Sequence, residues 1–437
     1  MLKKLLYSKF KKDLAFSYFT QGITIGFSFI QLFLINRYFG IETYGQLAII
    51  MSTAGIFSAL LTARSSEAIT RFLTREMINN NFQNAKFILT IGFCIDIITA
   101  LFMIGLTYML SEFVAETFMK NIKFSSEVFL YSFVIFFGFL RGTIFGYFQS
   151  KEMFFLINTI TIFESFIKIV ALILIVFVFS NSTLEDVIWT LIVASFLSFL
   201  YALIVFLKYY IQEFWTTHLF FNKVILKEYW SFNIKTFTSS SLKAGNDQID
   251  VLVLSNFTTP YFIGIYSIFK KILGIFSIVI SQISAVTFTQ IIKFYETKDF
   301  VGLIHNIKRK IYLIFSLITP MFLVALLGLN VIFTYMNITF NDMYYLVFCI
   351  LFLKIIASVL MWWWRAFIIT HNPMIPIYIN ILNLTNTILI PMLLFNFFKT
   401  IEPLLLISLS NFLIILPMGL IGYYYFYISI YKKVKND

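Results

Sequence analysis

Runs of about twenty apolar residues, separated by short polar connections, recur along the whole chain, and about twelve can be counted. Such runs suit one solvent. A soluble domain must cover itself with polar surface, and a chain that is 60% apolar and 12% charged lacks the residues to do so. In a bilayer the backbone must satisfy its own hydrogen bonds, and segments this long and continuously apolar do so as helices, not as barrel strands. The expected fold class is an all-α polytopic membrane protein with about 12 transmembrane helices. Spans are expected near 14–36, 43–65, 85–110, 125–148, 153–178, 187–208, 231–255, 261–287, 307–330, 343–369, 375–398 and 403–427.

The net charge is +12, and its distribution matters more than its sum. Assigning alternate connections to opposite sides puts roughly 20 Lys and Arg on the side of the N-terminus and about four, Arg37, Lys120, Lys123 and Lys399, on the other. Both termini are therefore expected to be cytoplasmic, and the basic balance reads as a topology signal with no nucleic-acid partner. Lys3, Lys4, Lys9, Lys11 and Lys12 precede the first run, but no small-residue cleavage site follows, so an uncleaved first helix is expected. Cys94 and Cys349 sit in different apolar segments, and His218, His305 and His371 fall in connections. Neither a disulfide framework, a metal site nor a cofactor is expected from them. A phosphate-binding GxxxxGK[ST] loop, a nucleophile elbow and an HExxH motif are all absent from the sequence.

One span is not apolar all round. In TFTSSSLKAGNDQID, residues 236–250, the side chains of Thr236, Ser239, Ser240, Lys243, Asp247 and Asp250 share about a third of the helix circumference. Three charges facing lipid would cost on the order of 8–10 kcal/mol, so they must face one another or water. The first span carries a similar stripe: Asp13, Ser17, Thr20, Thr24, Ser28 and Gln31. A shift of 219 residues places the last five on Thr236, Ser239, Lys243, Asp247 and Asp250, and the same shift carries Gly45 of the following turn onto Gly264. The chain is therefore read as two direct repeats, each a six-helix lobe, a duplication common among secondary transporters. The expected domains are residues 1–210 and 231–437, joined at 211–230 by a cytoplasmic amphipathic linker. The segment 66–84 reads as a cytoplasmic loop.

Other charges fall inside spans. Glu164 and Lys168 are four apart and can neutralise one another. Arg141 lies near a helix end, where it can serve as an anchor or line a cavity. Lys270 and Lys271 point about 100° apart, so at most one faces a given cavity. Asp96 and Lys354 have no local partner, and Trp362, Trp363 and Trp364 fit an interfacial belt. The candidate cavity residues are Lys243, Asp247, Asp250, Lys354, Lys168, Glu164, Arg141, Thr24, Ser28 and Gln31, with Asp247 and Asp250 holding Lys243. Cations outnumber carboxylates within the spans, which favours an anionic ligand.

The segments FGIETYGQLAIIMSTAGIFSALLTARSSEAITRFL and NDQIDVLVLSNFTTPYFIGIYSIFKKI resemble the Wzx-type polysaccharide biosynthesis flippases. Their superfamily also holds the multidrug/toxin extrusion (MATE) transporters and the lipid II flippase. The resemblance covers nearly the whole chain, and the matching positions are Gly45 and Gly264 in the turns and Asp247 and Asp250 in the seventh helix. It implies a V-shaped pair of six-helix lobes that carries an undecaprenyl-diphosphate-linked oligosaccharide, such as an O-antigen or capsule unit, across the bacterial inner membrane. Membrane lipids, a polysaccharide polymerase and chain-length machinery are the implied partners. The proline that the family often has near the start of the seventh helix is replaced here by KEYWSFNIKTF. Two rival classes are a MATE-like cation-coupled drug or metabolite antiporter and a membrane-embedded polymerase or glycosyltransferase. The latter would be expected to carry a long outer loop, and the outer connections here are short.

Overall fold

A computed structural model of the chain describes residues 2–61, 65–178, 183–360 and 375–436, and the side chains of most of them. All regular structure among the described residues is helical. Ten stretches are long and apolar enough to cross a membrane, and Met343–Val359 is a shorter apolar helix. Large apolar side chains such as Leu101, Phe102, Met109 and Phe177 are exposed. That is the reverse of a water-soluble surface and suits hydrocarbon. The chain is a multi-pass membrane protein.

Two compact units divide the helices. One comprises Met1–Phe39 and Ile49–Ala244, the other Gly40–Ala48 and Gly245–Asp437. The first is built from α1 (Leu2–Phe39), most of α2 (Ile41–Leu61), α3 (Ser65–Ile78), α4 (Phe82–Phe118), α5 (Ser125–Leu140), α6 (Gly142–Ser150), α7 (Phe154–Val178), α8 (Leu184–Phe214) and the first two thirds of α9 (Lys223–Ser255). Where a loop was expected at 66–84, α3 forms. Ala68, Ile69, Phe72 and Leu73 recur at helical spacing and are buried against α4 and α6, so packing of one apolar face wins over a polar composition.

Residues 215–222 join α8 to α9 without a helix of their own. The Lys86 ammonium donates to the carbonyls of Phe214 and Thr217 at 3.2 and 2.7 Å, satisfying the end of α8. Asn222 caps α9 by accepting from the Val224 and Ile225 N–H groups. The start of α9 then packs on the first unit through Arg75–Glu228 at 2.9 Å, Phe72 against Tyr229, and the Arg71 guanidinium over Phe232. These contacts tie the start of α9 to the first unit, and the unit boundary falls inside the helix at Ala244 and Gly245.

The second unit contains the rest of α9, α10 (Pro260–Glu296), α11 (Phe300–Tyr335), α12 (Met343–Leu360), α13 (Ile375–Phe397) and α14 (Pro403–Asn436). Aromatic stacking fills its core: the Phe322 ring of α11 lies 3.8 Å from that of Phe352 on α12. The segment Gly40–Ala48 belongs here because the two turn glycines meet. A Cβ on Gly45 would collide with the Pro260 carbonyl, and one on Gly264 would come 2.5 Å from the Ile41 carbonyl. Ile41 and Pro260 are themselves 219 residues apart, so the contact is self-complementary, and it needs glycine on both sides for the backbones to approach.

Candidate functional site

Within the first unit, α7 presents Glu164 and Lys168 on one face, their charged atoms 2.7 Å apart. Arg141 reaches the same carboxylate from the break between α5 and α6, and donates also to the Ser198 hydroxyl of α8 at 2.8 Å. The break has a local cause. Gly142 follows Arg141 and opens α6, whose Thr143 N–H donates at 2.7 Å to the Asp96 carboxylate of α4. Asp96, which has no partner nearby in sequence, is 3% exposed and satisfies a helix N-terminus that the interruption leaves open. Gly142, inside the expected 125–148 span, is the signal in the sequence for this break.

A second cluster lies in the other unit. Asp250 of α9, 2% exposed, accepts from the Lys270 ammonium at 2.7 Å and from the Tyr266 hydroxyl at 2.7 Å, both on α10. The Lys354 ammonium of α12 stands 3.8 Å away, within ion-pair reach but beyond a hydrogen bond. Asn411 of α14 donates to the Tyr266 oxygen at 3.0 Å, so four helices fix this carboxylate. The cluster forms one wall of a cavity of about 450 Å³, within the usual size of ligand sites. Asn246, Ser277 and Ser358 add polar groups, while Leu273, Leu351, Ile355 and Ile415 supply an apolar side. Both lysines are about a third exposed, at 31% and 28% of their side chains. Among the described residues two ammonium groups face one carboxylate in this lining.

The structure thus brings together Asp250 and Lys354, with Lys270 as the partner that neighbouring positions did not identify, and separately Arg141, Glu164 and Lys168. Lys243 and Asp247 lie outside the residues whose side chains are described, as do Trp362, Trp363 and Trp364. Thr24, Ser28 and Gln31 are half-buried on α1, where the Thr24 hydroxyl donates to the Thr20 carbonyl at 2.9 Å. Nearer the start of that stripe, Ser17 accepts from Asn158 of α7 at 3.0 Å, and Thr20 is buried. Among the described residues no group of three or more His, Cys, Asp or Glu could hold a metal ion.

The family model described as "Polysaccharide biosynthesis protein" matches residues 10–294, well over half of the chain. The chain belongs to that family. Members are membrane transporters, not enzymes, and this polysaccharide biosynthesis protein matches no individual curated protein sequence. Among solved structures it is similar to an inward-facing multidrug resistance MATE family transporter of the MOP superfamily, at TM-score 0.75 and 11% identity over 94% of this chain and 96% of that one. The lipid II flippase MurJ in an inward closed conformation aligns at TM-score 0.66 and 14% identity, covering 96% and 87%. A MOP superfamily transporter from Pyrococcus furiosus, described as having a binding pocket of reverse polarity, aligns at TM-score 0.64 and 10% identity over 96% of each chain. At such identities the likeness concerns the fold alone.

Proposed function

We propose that this polysaccharide biosynthesis transporter is a flippase. It moves a polyprenyl-diphosphate-linked oligosaccharide across the bacterial inner membrane by alternating access, with twelve spans and both termini in the cytoplasm. The observation that carries the proposal is the positive cavity around Lys270 and Lys354 inside an apolar bundle. A fixed cation pair in low dielectric favours a phosphoryl group strongly. The polyprenyl tail can remain in lipid while the charged head and its sugars use the polar path. Lys243, about two helix turns before Asp250 on the same helix, is a further candidate for the diphosphate, and Thr24, Ser28 and Gln31 of α1 are candidates for sugar hydroxyls. Polymerase and chain-length machinery would receive the product.

Expression in a flippase-null host checks the proposal. The wild-type chain restores surface polysaccharide, whereas Lys354→Ala and Lys243→Ala insert normally and restore about 30- to 150-fold less, the loss expected when a charge-assisted contact of about 2–3 kcal/mol is removed. Undiminished polysaccharide in both variants would overturn the cavity model. Support for a MATE-like antiporter comes from the shared fold alone. It predicts resistance to cationic drugs, which a flippase does not confer.

A further inference from the structure

Beyond the anionic head, the cavity has an order along the helix axes. On α12, Ser358 lies four residues past Lys354, and on α10, Ser277 lies seven past Lys270. Both hydroxyls therefore follow their lysine on the same face, one or two turns toward the same end of the bundle. Because α9 runs opposite to α10 and α12, Asn246, four residues before Asp250, joins the hydroxyl layer. Its Nδ2 donates to the Asn380 carbonyl at 3.1 Å, and its buried Oδ1 has no protein partner among the described residues. A charged layer of Asp250, Lys270 and Lys354 is thus stacked on a neutral layer of Asn246, Ser277 and Ser358.

Between the layers on α10 stands Gly274, where an added Cβ would meet nothing within 4 Å. The glycine leaves a shelf open next to the lysines, and across it lie the apolar side chains of Leu351 and Ile355. Ammonium groups, then an open shelf with one apolar side, then hydroxyl and amide groups match an anion joined to a pyranose ring, whose faces are apolar and whose rim carries hydroxyls.

We infer that this cavity is a glycosyl-phosphate subsite: Lys270 and Lys354 take the phosphoryl group, and the Gly274 shelf with Asn246, Ser277 and Ser358 takes the sugar attached to it. The inference rests on the flippase proposal and adds to it a residue set that selects the first sugar. Asp250 acts as a positioning residue, holding the two ammonium groups apart from beneath while Tyr266 and Asn411 hold it.

The full chain in lipid nanodiscs is titrated with inorganic phosphate, glucose 1-phosphate, glucose and glucuronate, following its thermal stability. Glucose 1-phosphate is expected to bind at least about tenfold more tightly than phosphate, glucose or glucuronate. Ser277→Ala with Ser358→Ala, and separately Gly274→Leu, should remove that preference while leaving phosphate binding as it was; Lys354→Gln should weaken both phosphate and glucose 1-phosphate. A Cβ at Gly274 meets nothing within 4 Å, and the double serine variant tests the same preference without adding bulk. Equal binding of phosphate and glucose 1-phosphate, equal or tighter binding of glucuronate, no binding of any probe, or a preference that survives both variants overturns the subsite. Failure of the wild-type chain to restore surface polysaccharide would instead sink the flippase proposal, so the two are separable.

Discussion

Two charge clusters, each with two cations and one carboxylate among the described residues, are built in different ways. Around Glu164 the groups are knitted together: both cations reach the carboxylate, Ser198 takes a further bond, and the three charged side chains are 13%, 14% and 24% exposed. Around Asp250 the carboxylate is almost wholly buried and fixed from behind, while its cations, 31% and 28% exposed, stand along a cavity wall. The difference teaches that charge in a span has two uses. Where a carboxylate is shared between cations of different helices, the cluster joins those helices; where it is buried behind lysines that line a cavity, the cluster also faces a space that a ligand can enter.

The largest effect that separates the two is expected at Glu164. Glu164→Gln leaves Arg141 and Lys168 without their counter-charge in a dry site, which should cost about 3–5 kcal/mol. Purified in detergent, the variant should unfold far earlier than the wild type or fail to accumulate. Replacing Arg141, Glu164 and Lys168 together by Gln, Gln and Met should recover most of that stability, since an uncompensated charge is worse than none. In contrast, Asp250→Asn should lose less stability, because its lysines can reach water in the cavity. Equal losses at the two carboxylates would erase the distinction.

How far these clusters are legible in the sequence follows from which contacts are local. Glu164 and Lys168 share a helix face four residues apart, so their pairing can be read directly. The partners of Asp250 come from other helices, Lys270 from 20 residues on and Lys354 from farther still, and nothing in spacing selects them over Lys243 or Lys271. Depth is legible for Lys354, whose distance from either end of its span makes a cavity position expected. The succession of apolar helices is legible because hydropathy is a local property, and ten of the described stretches are long and apolar enough to cross a membrane. By contrast α3 reads as a loop, since its mean composition is polar and its one apolar face acquires meaning only when packed. The break at Arg141 is half-legible: Gly142 marks it, but the Asp96 carboxylate that satisfies it arrives from α4.

An intermediate effect is expected behind the Asp250 carboxylate. Tyr266 donates to Asp250 and accepts from Asn411, so Tyr266→Phe leaves one buried acceptor and one buried donor short of a partner, about 1–3 kcal/mol. Thermal unfolding should register that loss. If the carboxylate is truly fixed from behind, release of this bond also lets it approach Lys354, and glucose 1-phosphate binding should weaken in parallel with stability. A variant that is destabilised yet binds unchanged would show that the position of Asp250 does not matter to the cavity.

The smallest effect is the one that most sharpens the contrast. Ser198 of α8, fully buried, accepts from Arg141 at 2.8 Å and donates weakly to Glu164 at 3.5 Å, and Ser198→Ala removes both while the Arg141–Glu164 contact remains. A single hydrogen bond of this kind is worth about 0.5–1.5 kcal/mol net, or somewhat more where the donor is charged. The variant should therefore melt slightly earlier and restore surface polysaccharide to the wild-type level. A purely structural cluster allows no other pairing of outcomes. Were transport to fall while unfolding stayed the same, Arg141 would be contacting cargo through the face that Ser198 helps to set, and the first unit would hold a second ligand site, not a joint between helices.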